Sequence, residues 1–364
     1  MVAFLKNKSK KDVLRYQKQT AFKALLSALC VLGGVVSPVV LPIESSSEQN
    51  SKLAWEAPLS AGAAFAKKKP EVHKTDSLVK EFVAHEGYKR AYYVHVPASF
   101  NPQQATPVLL VFHQERSNAR AMSRLTRFQE WSEQYGFLVI YPEGVDTWDD
   151  GRRTDARQMN DVGFVSEILT SLERKWHIDR TGVYACGYSD GGFFAQYLAL
   201  KLQGQIQAVA SVAGTMSQLL PNKMRLKGNC SMMYILGIND KIVPFYGGPI
   251  DPGPHGYNRG MGATASEAIN FWLQGNKCNN DFTQEEYTNV NGIDGTGVKV
   301  ARYANCPNNH EVLVYAIVGG GHDWPQVHSR GKKAQNQNSR DFDASAVIFQ
   351  FMANHGLARL RQYQ

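Results

Sequence analysis

The chain has 364 residues, 43% hydrophobic and 20% charged, which is enough to bury one large core with segments to spare. Its formal net charge of +8 suggests nucleic acid, but residues 1–66 carry eight Lys/Arg against four Asp/Glu and hold half of that excess. No basic helix interleaved with aromatic residues follows, so nucleic acid is excluded as an expected partner.

Residues 1–43 read as an export segment. Lys6, Lys8, Lys10, Lys11, Arg15, Lys18 and Lys23 precede an apolar run from Ala24 to Ile43. Gly33, Gly34, Pro38 and Pro42 weaken that run (residues 24–43) as a membrane-spanning helix. Cleavage at Ala64-Phe65-Ala66, cleavage nearer the run, and retention as an inner-membrane anchor all stay open. Cys30 does not fit a lipoprotein cysteine, because Leu29 before it is too large. The expected location is therefore secreted or periplasmic, with or without an anchor. Residues 44–79 contain a stretch (44–69) rich in Ser, Ala, Gly and Lys, and read as a propeptide or linker. Residues 80–364 are expected to form a single catalytic domain.

Within that domain, short apolar runs alternate with helical spacing. Strands are expected at Tyr92–Val96, Val108–Phe112, Phe137–Tyr141, Val183–Cys186, Ala208–Val212, Met232–Leu236 and Val312–Val318. Met122, Leu125, Phe128 and Trp131 recur every third residue as one helical stripe, and Val165, Ile168, Leu169, Leu172 and Trp176 form another. This alternation predicts an α/β fold with a mainly parallel, doubly wound sheet, whose ligands gather at the carboxyl ends of the strands.

Gly187-Tyr188-Ser189-Asp190-Gly191 joins an apolar strand to the helical pattern Phe193, Phe194, Tyr197, Leu198 and Leu202. It reads as a G-x-S-x-G elbow, a strand-to-helix corner that projects a serine hydroxyl above the sheet. Glycines two residues either side let the tight turn close without a side-chain collision. Serine needs a base, and His322 follows a strand and the run Gly319-Gly320-Gly321. His328 is the fallback. The acid belongs between serine and histidine in chain order, at a strand end. Asp240, after Met232–Gly237, fits, with Asp251 as its nearest rival; Asp323 is poorly placed beside His322.

Among the five cysteines, no spacing suits a metal site, so no metal is expected. In an oxidising compartment, Cys278 and Cys306 are the disulfide candidates, because they flank a polar, loop-like stretch from Asn279 to Asn305. Cys186 reads as a small buried apolar residue. Gly247–Gly262, dense in Gly and Pro, reads either as a pocket wall or as an ordinary loop.

Taken with Asn160-Asp161-Val162-Gly163-Phe164, Val243-Pro244-Phe245-Tyr246-Gly247-Gly248 and Gly319-Gly320-Gly321-His322-Asp323-Trp324-Pro325, the elbow resembles the extracellular polyhydroxybutyrate depolymerase and feruloyl-esterase-like group of α/β-hydrolases. The resemblance runs from about Tyr92 to the end. It implies ester hydrolysis through an acyl-enzyme, with Ser189, Asp240 and His322 as triad and no cofactor. The oxyanion donors would be the backbone N–H groups of Asp190 and Gln114. That group has His-Gly where this chain has His113-Gln114, which puts the second donor's geometry in question. Tyr188, Trp148 and Trp324 would face substrate, although each also suits a core.

The last helical segment is expected at Asp343 to Asn354, ten residues before the end, so no polymer-binding module is expected there. Expected substrates are hydroxyalkanoate oligomers or amorphous polymer, or else feruloyl or acetylxylan-type plant esters. A serine peptidase on the same fold, and an inactive binding protein, are the competing readings.

Overall fold

The computed structural model describes residues 78–152, 159–227, 230–253, 256, 258–288, 294–327 and 339–358. The expected export segment, nearly all of the linker, and His328 lie outside them. The chain enters the sheet through a hairpin of β1 (Val79–His85) and β2 (Tyr88–His95). Its turn residues Glu86 and Gly87 have φ of 49° and 79°, the handedness that matches the twist of the flanking strands. The expected domain boundary at residue 80 therefore cuts β1, whose predecessor Leu78 already packs on the core.

The remaining large strands are β3 (Thr106–Phe112), β4 (Leu138–Pro142), β5 (Ile178–Tyr188), β6 (Ile206–Val212) and β7 (Ser231–Gly237). A two-residue ribbon, β8 (Gly248–Pro249) with β9 (Met261–Gly262), precedes β10 (Thr283–Thr288), β11 (Gly297–Tyr303) and β12 (Val312–Val318). The main sheet has the order β1-β2-β4-β3-β5-β6-β7-β12-β11-β10. The six strands from β4 to β12 run parallel, with antiparallel pairs at both edges. Every residue of β4 and β7 is buried, as a sheet covered on both faces requires.

The helices are α1 (Ala119–Thr126), α2 (Phe128–Tyr135), α3 (Asp161–Lys175), α4 (Asp190–Lys201), α5 (Leu220–Lys223), α6 (Ala265–Gly275) and α7 (Ala344–Asn354). On one face, residues of α1, α2 and α7 form a single apolar cluster with Leu109, Val111, Val139, Tyr141 and Cys186. The alternate strand residues meet α3 and α4: Arg90 of β2 lies 3.7 Å from the Phe164 ring, and Phe112 of β3 packs edge-on to Phe194.

Two expectations are corrected. The stripe Met122–Trp131 is not one helix but two, broken at Arg127, whose φ of 53° ends α1. A strict three-residue repeat drifts by about 60° per step on a helix, so the break resets the phase and keeps Phe128 inward. Asn279–Asn305 is not all loop: it contains the antiparallel hairpin strands β10 and β11. Its signal is a short alternation, Val298 and Val300 buried with Lys299 between them less so, on strands at the sheet's edge. The Cys278–Cys306 disulfide is present and closes the mouth of this hairpin, with the Asn279 N–H donating to Asn305 O beside it. Among the described residues Cys186 and Cys230 are free thiols, both buried.

Candidate active site

The strand order reverses between β3 and β5: β3 is flanked by β4 on one side and β5 on the other. Ligands in open parallel sheets bind at such switch points, outside the carboxyl ends of the strands. β3 leads into His113-Gln114 and β5 into Ser189, so the switch point brings these residues together.

Ser189 has φ 53° and ψ −118°, a conformation an L-residue holds only when its surroundings impose it. Its N–H donates to Val212 O (2.8 Å), and its carbonyl accepts from Gly192 and Phe193 in the first turn of α4 (2.9 and 3.1 Å). The turn closes so tightly that a Cβ on Gly187 would sit 2.1 Å from the Gly191 carbonyl group, and one on Gly191 would sit 2.3 Å from Phe112 O. Both positions therefore exclude any side chain.

His322 Nε2 lies 2.9 Å from Ser189 Oγ, and its Nδ1 lies 2.7 Å from Asp240 Oδ2. A carboxylate only accepts, so Nδ1 carries the hydrogen and Nε2 presents a lone pair to the hydroxyl. Asp240 is itself fixed, its Oδ1 accepting the N–H groups of Ile242 (2.8 Å) and Val243 (2.9 Å). The rival Asp251 instead caps its own turn, accepting from Gly253 N–H at 2.8 Å. Such a relay can draw the proton from Ser189 as its oxygen attacks an electrophilic carbon.

The residue after the serine is held by charge. Asp190 accepts from Thr147 Oγ1 (3.0 Å) and from Arg152 Nη2 (2.5 Å), and Arg152 also pairs with Asp150 (2.6 Å). All three charged groups are buried. Burial by itself would raise the Asp190 carboxyl, but Arg152 and Thr147 outweigh it and hold Asp190 below the usual carboxylate range. Asp150 shifts the other way, lifted by burial against the pull of the same guanidinium.

On the neighbouring strand end, His113 is fully buried, and burial lowers its pKa. Gly144 N–H donates to its Nε2 (2.9 Å), so the hydrogen sits on Nδ1, which donates to Gln114 O (2.8 Å). Gln114 is not among the residues with positive φ, so a side chain there, in place of the glycine of the resembling group, introduces no backbone strain.

The three aromatic residues expected to face substrate are buried side chains. Trp148 is 2% exposed, stacks on Phe194 at 4.9 Å and donates its indole N–H to His113 O (2.8 Å). Trp324 is 2% exposed and donates to Ser345 Oγ (3.2 Å). Tyr188, also buried, stacks against the His322 ring (5.5 Å) and donates its hydroxyl to His322 O (3.1 Å). Their bulk is removed from water against these neighbours. Sequence reading missed Gly144, Thr147, Asp150 and Arg152, which lie in a polar stretch that looks like any surface loop. An Asp-Gly-Arg segment carries no sign that its arginine will be buried. Part of Gly247–Gly262 does close on this region: Arg259 bridges to Glu115 (2.6 Å), the residue after Gln114.

No protein-family model matches the chain. The putative esterase NocK of Nocardia uniformis subsp. tsuyamanensis is 29% identical over 249 residues, covering 66% of this chain and 72% of that protein. The bifunctional acetylxylan esterase/xylanase XynS20E of Neocallimastix patriciarum is 25% identical over 221 residues, covering 59% of this chain and only 30% of that protein. Among solved structures, an acetyl xylan esterase from Aspergillus awamori aligns with a TM-score of 0.49 at 14% identity, covering 68% of this chain and 94% of that one. The chain is thus similar to proteins named as esterases, and it carries a mainly parallel α/β sheet.

Proposed function

We propose that the protein hydrolyses carboxylic esters through an acyl-enzyme on Ser189, with His322 as general base and acid and Asp240 as its orienting partner. The continuous relay from Ser189 Oγ to His322 (2.9 Å) to Asp240 (2.7 Å), at the end of β5, carries this reading. As Ser189 Oγ bonds to the ester carbon, its proton passes to His322 Nε2 and the carbonyl oxygen becomes an oxyanion. The Asp190 and Gln114 N–H groups receive that charge. Collapse of the tetrahedral intermediate expels the alkoxide, which takes the proton from His322, and water repeats the sequence to free the acid.

For the acyl group, the acetylxylan esterase activity named for one relative and the feruloyl esterase activity named for another favour acetyl or feruloyl esters of plant polysaccharide. Hydroxyalkanoate oligomers are the second reading, favoured by the combination of the elbow with the motifs around Asp161, Pro244 and His322. The disulfide supports work outside the cytoplasm.

The deciding experiment compares wild type and Ser189→Ala on p-nitrophenyl acetate, methyl ferulate, acetylated xylan, hydroxybutyrate oligomers and a peptide amide. Turnover of esters by wild type alone, with a fluorophosphonate adduct mapped to Ser189, is expected. A folded wild type that hydrolyses none of them and leaves Ser189 unlabelled would sink the catalytic reading.

A further inference from the structure

We propose that the loop from Gly144 to Arg152, which supplies none of the reacting atoms, sets the spacing of the two oxyanion donors. This inference rests on the acyl-enzyme reading above. The two donors lie on different strand ends, Gln114 after β3 and Asp190 after β5, and one loop after β4 reaches both. Gly144 and Trp148 hold the first. Thr147 and Arg152 hold the second.

The first arm works through peptide planarity. The His113–Gln114 bond is trans, as are all the others described, so its C=O and N–H point in opposite directions. Trp148 Nε1–H fixes that carbonyl at 2.8 Å, which turns the Gln114 N–H away from the indole. Gly144 N–H fixes the His113 ring, and the ring fixes the Gln114 carbonyl at 2.8 Å. Both peptide planes flanking Gln114 are thus pinned, and the Gln114 N–H has no backbone acceptor among the described residues. The second arm grips the Asp190 carboxylate through both oxygens, one on Thr147 Oγ1 and one on Arg152. The loop is itself anchored: Asp149 N–H donates to Asp161 Oδ2 (2.7 Å), and Asp161 pairs with Arg90 of β2 at 2.6 Å. Asp146 O accepts from Arg116 N–H (2.7 Å), which ties the loop to the segment just past Gln114. An oxyanion hole is worth most when its donors are already aimed and need no reorganisation during the reaction, and this loop aims both.

Trp148→Phe isolates the first arm, because it removes the indole N–H while keeping an aromatic ring for Phe194. Trp272→Phe is the structural control: it removes a buried indole bond, to Gln196 Oε1 at 3.3 Å, in which no residue of the Gly144–Arg152 loop takes part. Steady-state kinetics on p-nitrophenyl acetate, binding of an alkyl boronic acid as a tetrahedral mimic, and thermal melts would be measured on all. Removing an oxyanion donor outright costs about 100-fold or more in kcat, so loosening one is expected to cost about 10-fold. KM should stay within about 2-fold, the boronate should weaken by the same factor as kcat, and Trp272→Phe should keep wild-type kcat. Thr147→Val carries the same expectation for the Asp190 arm, and stands in if Trp148→Phe does not fold. Wild-type kcat in both loop variants, or a loss confined to KM, or an equal loss in Trp272→Phe, overturns the inference while leaving the acyl-enzyme reading intact. A wild type inert to every ester and unlabelled at Ser189 overturns both.

Discussion

Asp240→Asn tests the relay through the hydrogen atom on a single nitrogen. Asp240 Oδ1 accepts two backbone N–H groups, from Ile242 at 2.8 Å and Val243 at 2.9 Å. In the variant only the amide oxygen can occupy that position, since an NH₂ there would meet two donors. The amide nitrogen must then take the Oδ2 position, 2.7 Å from His322 Nδ1, and donate to it. His322 is forced into the tautomer with hydrogen on Nε2, facing Ser189 Oγ with nothing to accept a proton. Restoring the working tautomer would press two N–H groups together at hydrogen-bond distance. Where a serine triad suffers this swap, kcat falls about 10⁴-fold, equivalent to about 5.5 kcal/mol of barrier. We expect a loss of that order for p-nitrophenyl acetate at pH 7.5, with the fold unchanged by circular dichroism. Asp251→Asn should be silent, because among the described residues its Oδ1 accepts from Gly253 N–H in its own turn. If Asp240→Asn retains a tenth or more of wild-type kcat, the tautomer reasoning is wrong.

Three further outcomes follow from the packing. Gly191→Ala would place its Cβ 2.3 Å from Phe112 O and 2.7 Å from His113 O, displacing the strand end that holds Gln114. Activity should fall by more than 100-fold even where melting shows a folded protein; near-normal activity would contradict the tight elbow. Burial lifts Asp323 from an ordinary 3.8 to about 6, so the folded protein keeps this proton where the unfolded chain has released it. That contribution, about 3 kcal/mol at most, is full below about pH 4 and lost as pH rises through about 6. Asp323→Asn should therefore gain on wild type in melting temperature between pH 4 and 7, and a pH-independent difference would refute the assignment. Replacing both Cys278 and Cys306 by serine reopens a loop with a sequence separation of 28, which chain entropy values at about 3–4 kcal/mol. A lowered melting temperature is expected, with faster amide exchange in β10 and β11 than in β5; unchanged exchange there would show that the hairpin does not depend on the bridge.

The residues proposed to react were legible in the sequence because their chemistry is local. Gly187 and Gly191 mark a turn that excludes side chains, and His322 and Asp240 each follow an apolar run that could only be a buried strand. Apolar runs of this kind also predicted the parallel centre of the sheet, since both of its faces are covered. The edges were harder to read. β1 and the first four residues of β10 bury little, so they leave only a weak apolar pattern, and the break at Arg127 depends on a left-handed backbone that no residue type announces.

The same limit explains the aromatic residues. Trp148, Trp324 and Tyr188 have rings fit for a substrate or for a core, and only the packing of α4 and α7 on the sheet decided for burial. By itself the sequence determined which groups are chemically able to react and in what order the chain presents them. Tertiary structure alone decided how they are held. The peptide planes at Gln114, one of them through the His113 ring, and the carboxylate of Asp190 are fixed by hydrogen bonds from a loop 31 residues or more distant in sequence, and their energy comes from exclusion of water at a place where three strand ends converge.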